Sequence, residues 1–332
     1  MTISKNLSRL LRVIIAITIV GWLIGRAGAD DVVSQLTQAK PAILMLALLV
    51  MVFEIALRSN TWFLLLKATC PLGTISYFRL LAAYATSAML GSFVPSSAGT
   101  DVLRAAMSYR IIGGHFLTHV ASVVMQNALS FVAASLLGLL GLGLLSLNTG
   151  LPPELKPFVV PLCGIAAGVP IAYIIVRARR AQVMMTLRRI GRRWFRLRRT
   201  VRRFLASVFV FERSHADLGR ILVVSTAALL AQSLAYALTA KAIGVVLPAG
   251  VWILLPSVIA IAGLLPASFL GFGATQAANV YVVTACGVPL AQSVAVATLI
   301  AIVSVFLRAA SGGMAIVFWP LERRPKGHSR AA

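Results

Sequence analysis

Eight stretches of this chain are apolar over lengths that only lipid or other protein can surround: residues 11–25, 41–57, 80–95, 116–147, 158–176, 220–247, 251–271 and 276–318. Several approach or exceed the roughly 20 residues that cross a bilayer as a helix. The last is too long for one span and needs a turn, which Gly287-Val288-Pro289 supplies. Composition agrees, since a chain of 332 residues that is 59% hydrophobic and 12% charged lies outside the range of soluble domains. The longest polar stretch, 177–219, is too short and too basic to bury a core of its own. The expected fold is an all-α polytopic membrane protein: one integral membrane domain over residues 1–320 and a basic tail over 321–332.

Charge orients the chain. The net charge is +23, from 31 Lys+Arg against 8 Asp+Glu. Basic loops mark the cytoplasmic side of a membrane protein, which accounts for this excess without a nucleic-acid partner. Residues 177–203 hold 12 arginines and no acid, interleaved with Met184, Met185, Leu187, Ile190, Trp194, Phe195 and Leu197. That pattern predicts a cytoplasmic interfacial helix that serves chiefly as a topology anchor. Lys5, Arg9 and Arg12 place the N-terminus inside, and Arg323, Arg324 and Lys326 do the same for the C-terminus. Ala27-Gly28-Ala29 resembles a signal-peptide cleavage site, although an uncleaved first helix is the preferred reading. Residue 30 lies outside in either case.

If every apolar run crosses, the 12 arginines face outward. One change repairs this. Residues 78–112 enter from the cytoplasm, turn at PSSAGTD (95–101) and leave on the same side, while residues 251–289 dip in from the outside and turn near 266–275. Only four of the 31 basic residues, Arg26, Lys40, Lys156 and Lys241, then lie outside. The two turns, VPSSAGTDVLRAA (94–106) and LPASFLGFGATQAA (265–278), share an order of proline, serine, glycine and threonine followed by a polar or acidic residue. About six full spans plus two oppositely oriented re-entrant helical hairpins form an inverted repeat, with broken helices meeting near the midplane. Irregular backbone at that depth must be buried in protein or line a wet cavity.

Only two of the eight acids, Glu54 and Asp101, fall where membrane depth is expected. A charge there costs at least about 2.5–3.5 kcal/mol on insertion scales, which marks a functional position. Each has an arginine on its own helix face, Arg58 at i+4 from Glu54 and Arg104 at i+3 from Asp101. Structural ion pairing is therefore the competing explanation. Arg58, Arg104 and Arg110 are expected near the inner ends of a span and the first hairpin, and Arg308 a turn or more inside the final span. Guanidinium groups bind phosphate bidentately, and helix starts at Gly99 or Gly273 would add backbone donors. Gln126 and Asn127 read as polar glue between helices. His115 and His119 are spaced i, i+4 but have no acid or cysteine nearby to complete a metal set. Cys70, Cys163 and Cys286 are isolated. No G-x-x-x-x-G-K motif and no Ser/His/Asp set is visible, so neither ATP-driven transport nor an enzyme activity is expected, and no cofactor is implied.

The stretches RSNTWFLLL (58–66), GSFVPSSAGTDVLRA (91–105) and LLPASFLGFGATQAA (264–278) resemble the lysylphosphatidylglycerol synthase transmembrane region, a flippase-like membrane domain, over nearly the whole chain. In that family the first turn runs from proline through Gly-Gly-Asp to arginine. Here Pro95, Ala98-Gly99-Thr100-Asp101 and Arg104 occupy it, with one glycine displaced. The second turn ends Gly-x-Gly-x-x-Glu in the family, and Gly271 and Gly273 match while Gln276 stands at the acid. The resemblance implies movement of aminoacylated or other polar lipids between leaflets. The chain ends fourteen residues past the last run, so a standalone member without the soluble synthase domain is expected.

The expected function is a lipid translocase of the cell (inner) membrane. Asp101 and Arg104, helped by Arg58, would contact an anionic or glycosylated headgroup, with Gly99, Gly271 and Gly273 allowing close backbone approach. Pro95, Gln276, Glu54 and Arg308 complete the candidate set. The alternative is a non-transporting scaffold for a lipid-modifying enzyme, which would copurify with it.

Overall fold

The computed structural model describes residues 25, 28–69, 76–93, 97–148, 150–179, 182, 185, 204, 215–264, 268–269 and 272–318. The first apolar run except residue 25, most of the Arg-rich 177–203 segment, the tail, Pro95 and Gly271 lie outside the described residues. The described elements are α1 (Ala29–Thr37), α2 (Pro41–Thr69), α3 (Tyr77–Ser92), α4 (Ser97–Ile112), α5 (Phe116–Asn148), a 3-10 turn (Pro153–Phe158), α6 (Val159–Ala178), α7 (His215–Ala242), α8 (Ala249–Ala262), a ribbon of β1 (Ser268–Phe269) and β2 (Phe272–Gly273), α9 (Ala274–Ala285) and α10 (Leu290–Phe318).

Five segments among the described residues are long and apolar enough to cross a membrane: Pro41–Ala68, Phe116–Asn148, Pro153–Ala178, Leu218–Ala242 and Leu290–Val317. Between them lie two pairs of shorter helices. At 16 residues each, α3 and α4 reach only about 24 Å, short of a hydrocarbon core of about 30 Å. The helix pair α8 and α9 is shorter still, at 14 and 12 residues. The second break differs from an all-helical expectation: β1 and β2 pair antiparallel, with Ser268 opposite Gly273 and Phe269 opposite Phe272. Gly273 then caps α9 at φ 95°, ψ −126°, a conformation closed to residues with a Cβ. The final long run turns at Gly287 (φ 87°), after α9 and before Pro289.

Packing follows a symmetric scheme. Helices α2 and α7 run antiparallel: the Lys40 amide donates to the Ala242 carbonyl at 2.9 Å, Arg58 reaches Gln232, and Leu65 packs with Ile221. Helix α3 packs on α10, where Gly312 leaves room for Met89 and Ala85, and α8 packs on α5, where Gly138 and Gly141 face Ser257 and Leu254. Exchanging α2, α3, α4 and α5 with α7, α8, α9 and α10 leaves the set of packed pairs unchanged. The first helix of each short pair therefore leans on the long helix that closes the other half. Helix α6 lies outside this scheme and exposes Val160, Ile171, Ile174 and Ile175. Helix α2 presents Met45, Leu46, Leu49, Val52 and Phe53 in the same way, a surface suited to acyl chains rather than water.

A Cβ on Gly141 would lie 2.7 Å from the Gly250 carbonyl oxygen and 2.8 Å from the Leu254 nitrogen, whereas one on Gly143 would meet nothing within 4 Å. Backbone atoms cannot move aside cheaply, so Gly141→Ala is expected to destabilise by about 1–3 kcal/mol. Gly143→Ala is expected to be neutral or slightly stabilising. Thermal unfolding of both variants in detergent micelles checks the difference.

Candidate functional site

The two halves enclose a cavity of about 560 Å³, lined from α2, α3, α4, α5, α7, α8 and α10. That falls within the ~300–1,000 Å³ of small-molecule sites. Five charged side chains face it, Glu54, Arg58, Asp101, Arg104 and Arg308, among hydroxyls and amides. They come from α2, α4 and α10, so the sequence brings them together only through the fold.

Helix α4 supplies the first pair. Asp101 and Arg104 are one turn apart, and Arg104 Nη2 donates to Asp101 Oδ1 at 2.6 Å. Helix α5 fixes both: Asn127 donates to Asp101 Oδ2 at 2.7 Å, and Arg104 Nη1 donates to Gln126 Oε1 at 3.1 Å. The guanidinium lies 5.3 Å from the Tyr84 ring centroid and 5.9 Å from that of Trp62, close enough for cation–π attraction. Arg104 is buried, whereas the Asp101 side chain is 29% exposed and faces the cavity. The acid is thus the accessible member of the pair.

Helix α2 supplies the second pair. Arg58 Nε donates to Glu54 Oε1 at 2.5 Å, its Nη2 donates to Gln232 Oε1 on α7 at 2.9 Å, and Gln232 Nε2 donates to Tyr236 Oη at 2.8 Å. Gln126 Nε2 closes the circuit on the Arg58 backbone carbonyl at 2.9 Å. One polar network therefore runs from Asp101 through Arg104, Gln126 and Arg58 to Tyr236.

Several expectations change. Arg58 and Arg104 sit in the middle of α2 and α4, not near their inner ends, because α2 continues through the polar stretch Arg58-Ser59-Asn60 to Thr69. Arg110 is in the last turn of α4 and exposed. Gln276 does not line the cavity: it is 1% exposed and donates to Thr298 on α10 at 2.9 Å. Gly273 is the α9 cap, and Gly99 lies in the first turn of α4, beside the cavity-lining Thr100. Gln126 and Asn127 do join helices, and they also line the cavity. His119 donates from Nε2 to the Gly113 carbonyl at 2.8 Å. Among the described residues no group of three His, Cys, Asp or Glu is placed to hold a metal.

The cavity also uses residues that sequence reasoning passed over. Gln232 and Tyr236 repeat on α7 the i, i+4 spacing of Glu54 and Arg58 on α2, and that repetition was the signal available. Likewise Gln276 and the buried Asn279 repeat on α9 the i, i+3 spacing of Asp101 and Arg104. The second half therefore carries neutral counterparts of both ion pairs.

The family described as Lysylphosphatidylglycerol synthase TM region matches residues 9–312, and the chain belongs to that family. It is a multi-pass membrane protein. A comparison with curated proteins returns no match.

The network predicts strong coupling within α4. In a double-mutant cycle of Asp101→Asn and Arg104→Gln, read by denaturation in mixed micelles, the coupling is expected to be about 1–3 kcal/mol. Replacing Arg110, which is exposed, is expected to show no coupling to Asp101.

Proposed function

We propose that this member of the family is a lipid translocase of the cell (inner) membrane, with both termini cytoplasmic, that carries a polar or anionic headgroup through the central cavity while the acyl chains stay in the bilayer. The observation that carries the reading is the cavity itself: five charged side chains converge within membrane-length or hairpin helices, between two halves of the fold. Each such charge costs at least about 2.5–3.5 kcal/mol on insertion scales. That cost is out of proportion for a purely structural seam, since apolar residues of similar volume would pack the same space at no such penalty.

The short helix pairs are read as re-entrant hairpins, α3–α4 entering from the cytoplasm and α8–α9 from the opposite side. Their lengths, the antiparallel run of α2 and α7, and the exchange symmetry of the packing support oppositely oriented halves. In this reading Asp101, the exposed end of the network, meets the headgroup, and Arg104 and Arg58 hold the charge balance around it. The chain performs no covalent chemistry.

A flip assay in proteoliposomes with fluorescent lipids tests this. The double variant Asp101→Asn with Arg104→Ala is expected to lower the rate about ten-fold or more, the scale of one lost charge-assisted contact. Equal rates overturn the assigned roles. A wild-type protein that flips nothing but copurifies with a lipid-modifying enzyme identifies a scaffold instead. Orientation has its own check. In a background lacking Cys70, Cys163 and Cys286, single cysteines at positions 97 and 268 are expected to label from opposite faces or from neither. Labelling of both from the same face removes the inverted arrangement.

A further inference from the structure

We propose that the α10 wall of the cavity is an anchor for one phosphodiester, so that the lipid taken up is one whose headgroup carries a single net negative charge. The proposal deepens the translocation reading, and its transport arm rests on that reading; its binding arm does not.

The argument starts from charge pairing. Glu54 is bonded to Arg58 and Asp101 to Arg104. Arg308, on α10, also lines the cavity, yet its guanidinium has no hydrogen-bonded or ion-paired partner among the described residues. The other two arginines direct their forks into the network, at Glu54 and Gln232 and at Asp101 and Gln126. Among the described residues that line the cavity, Arg308 is the arginine whose planar fork is not engaged in the network. Among the described lining residues two carboxylates face three guanidinium groups, an excess of one positive charge.

Two further donors converge there. Ser304, one turn before Arg308 on the same helix, also lines the cavity. Tyr236 is 6% exposed and lines the cavity too. Its oxygen accepts from Gln232, which leaves its own O–H to donate. It also lies within electrostatic range of Arg308. A guanidinium fork with two hydroxyls matches the two free oxygens of a phosphodiester. A monoanion brings the cavity to neutrality, which an apolar environment favours. A zwitterionic headgroup leaves the positive charge in place and sets an ammonium beside Arg308. A phosphomonoester, at about −1.5 to −2, overshoots.

The test is binding to purified full-length protein in neutral detergent, with fluorescent phosphatidylglycerol, phosphatidylcholine and phosphatidic acid as probes, alongside flipping of the same probes in phosphatidylcholine vesicles. Wild type is expected to bind phosphatidylglycerol about ten-fold or more tighter than phosphatidylcholine, with phosphatidic acid between. Arg308→Gln is expected to erase the preference and Arg308→Lys to restore part of it. Ser304→Asp, which supplies an internal carboxylate beside Arg308, is expected to erase it as well. Arg308 anchors no ion pair, so melting temperatures of the Arg308 variants should match wild type. Equal binding of all three probes by wild type, or a preference that survives both Arg308→Gln and Ser304→Asp, overturns the proposal. Selective binding with no flipping overturns translocation and leaves the phosphodiester anchor standing. Flipping whose preference ignores Arg308 does the reverse.

Discussion

Arg58 bonds in two directions, to Glu54 within its own helix and to Gln232 across the seam to α7. The rest of the structure is arranged around that double bond. It sits where the two halves meet, on the antiparallel pair that the exchange of halves maps onto itself. Its backbone carbonyl receives Gln126, which in turn holds Arg104, which holds Asp101. A charge in an apolar medium is tolerable only if its donors and acceptors are spent. Here the bonds from Arg58 to Gln232, Arg104 to Gln126, Asn127 to Asp101 and Gln126 to the Arg58 carbonyl each cross between helices, so solvation of the charges and assembly of α2, α4, α5 and α7 are one problem with one solution.

The duplicated packing is not matched by duplicated chemistry. Glu54 and Arg58 have Gln232 and Tyr236 as counterparts, and Asp101 and Arg104 have Gln276 and Asn279. The first half thus carries ion pairs where the second carries neutral hydrogen-bonding groups. Helix α10 adds Arg308 from the other side. The cavity is therefore lined by ion pairs from the first half and by Gln232, Tyr236 and Arg308 from the second, although both halves are built on the same plan.

The breaks in the fold were legible because Pro, Gly and Ser interrupt otherwise continuous apolar runs. Helix α3 ends at Ser92 and α4 begins at Ser97, so the helix break precedes most of the expected 95–101 turn, whose residues 97–101 are already helical, while Gly287 divides the last run as read. The depth of the arginines was not legible. Hydropathy closed the second run at residue 57, yet α2 runs on to Thr69, because Glu54, Gln232 and Gln126 solvate the charged stretch from other parts of the chain. Tyr84 and Trp62 were hidden for a related reason: an aromatic ring inside an apolar run reads as core until a guanidinium is found against it, and Tyr236 read as core until Gln232 was found bonded to it. The β1–β2 ribbon had no periodicity to announce it, being two residues on each side.

The glycine contacts carry a mechanical consequence. Gly312 lets α10 close on α3, and Gly138 and Gly141 let α5 close on α8, with backbone nearly touching backbone. Contacts that tight transmit displacement rather than absorb it. The most tightly packed bodies are therefore not the two sequence halves. They are crossed composites, each made of one half's hairpin helix and the other half's closing helix. Separating the two sequence halves along the repeat boundary would have to part both glycine seams at once.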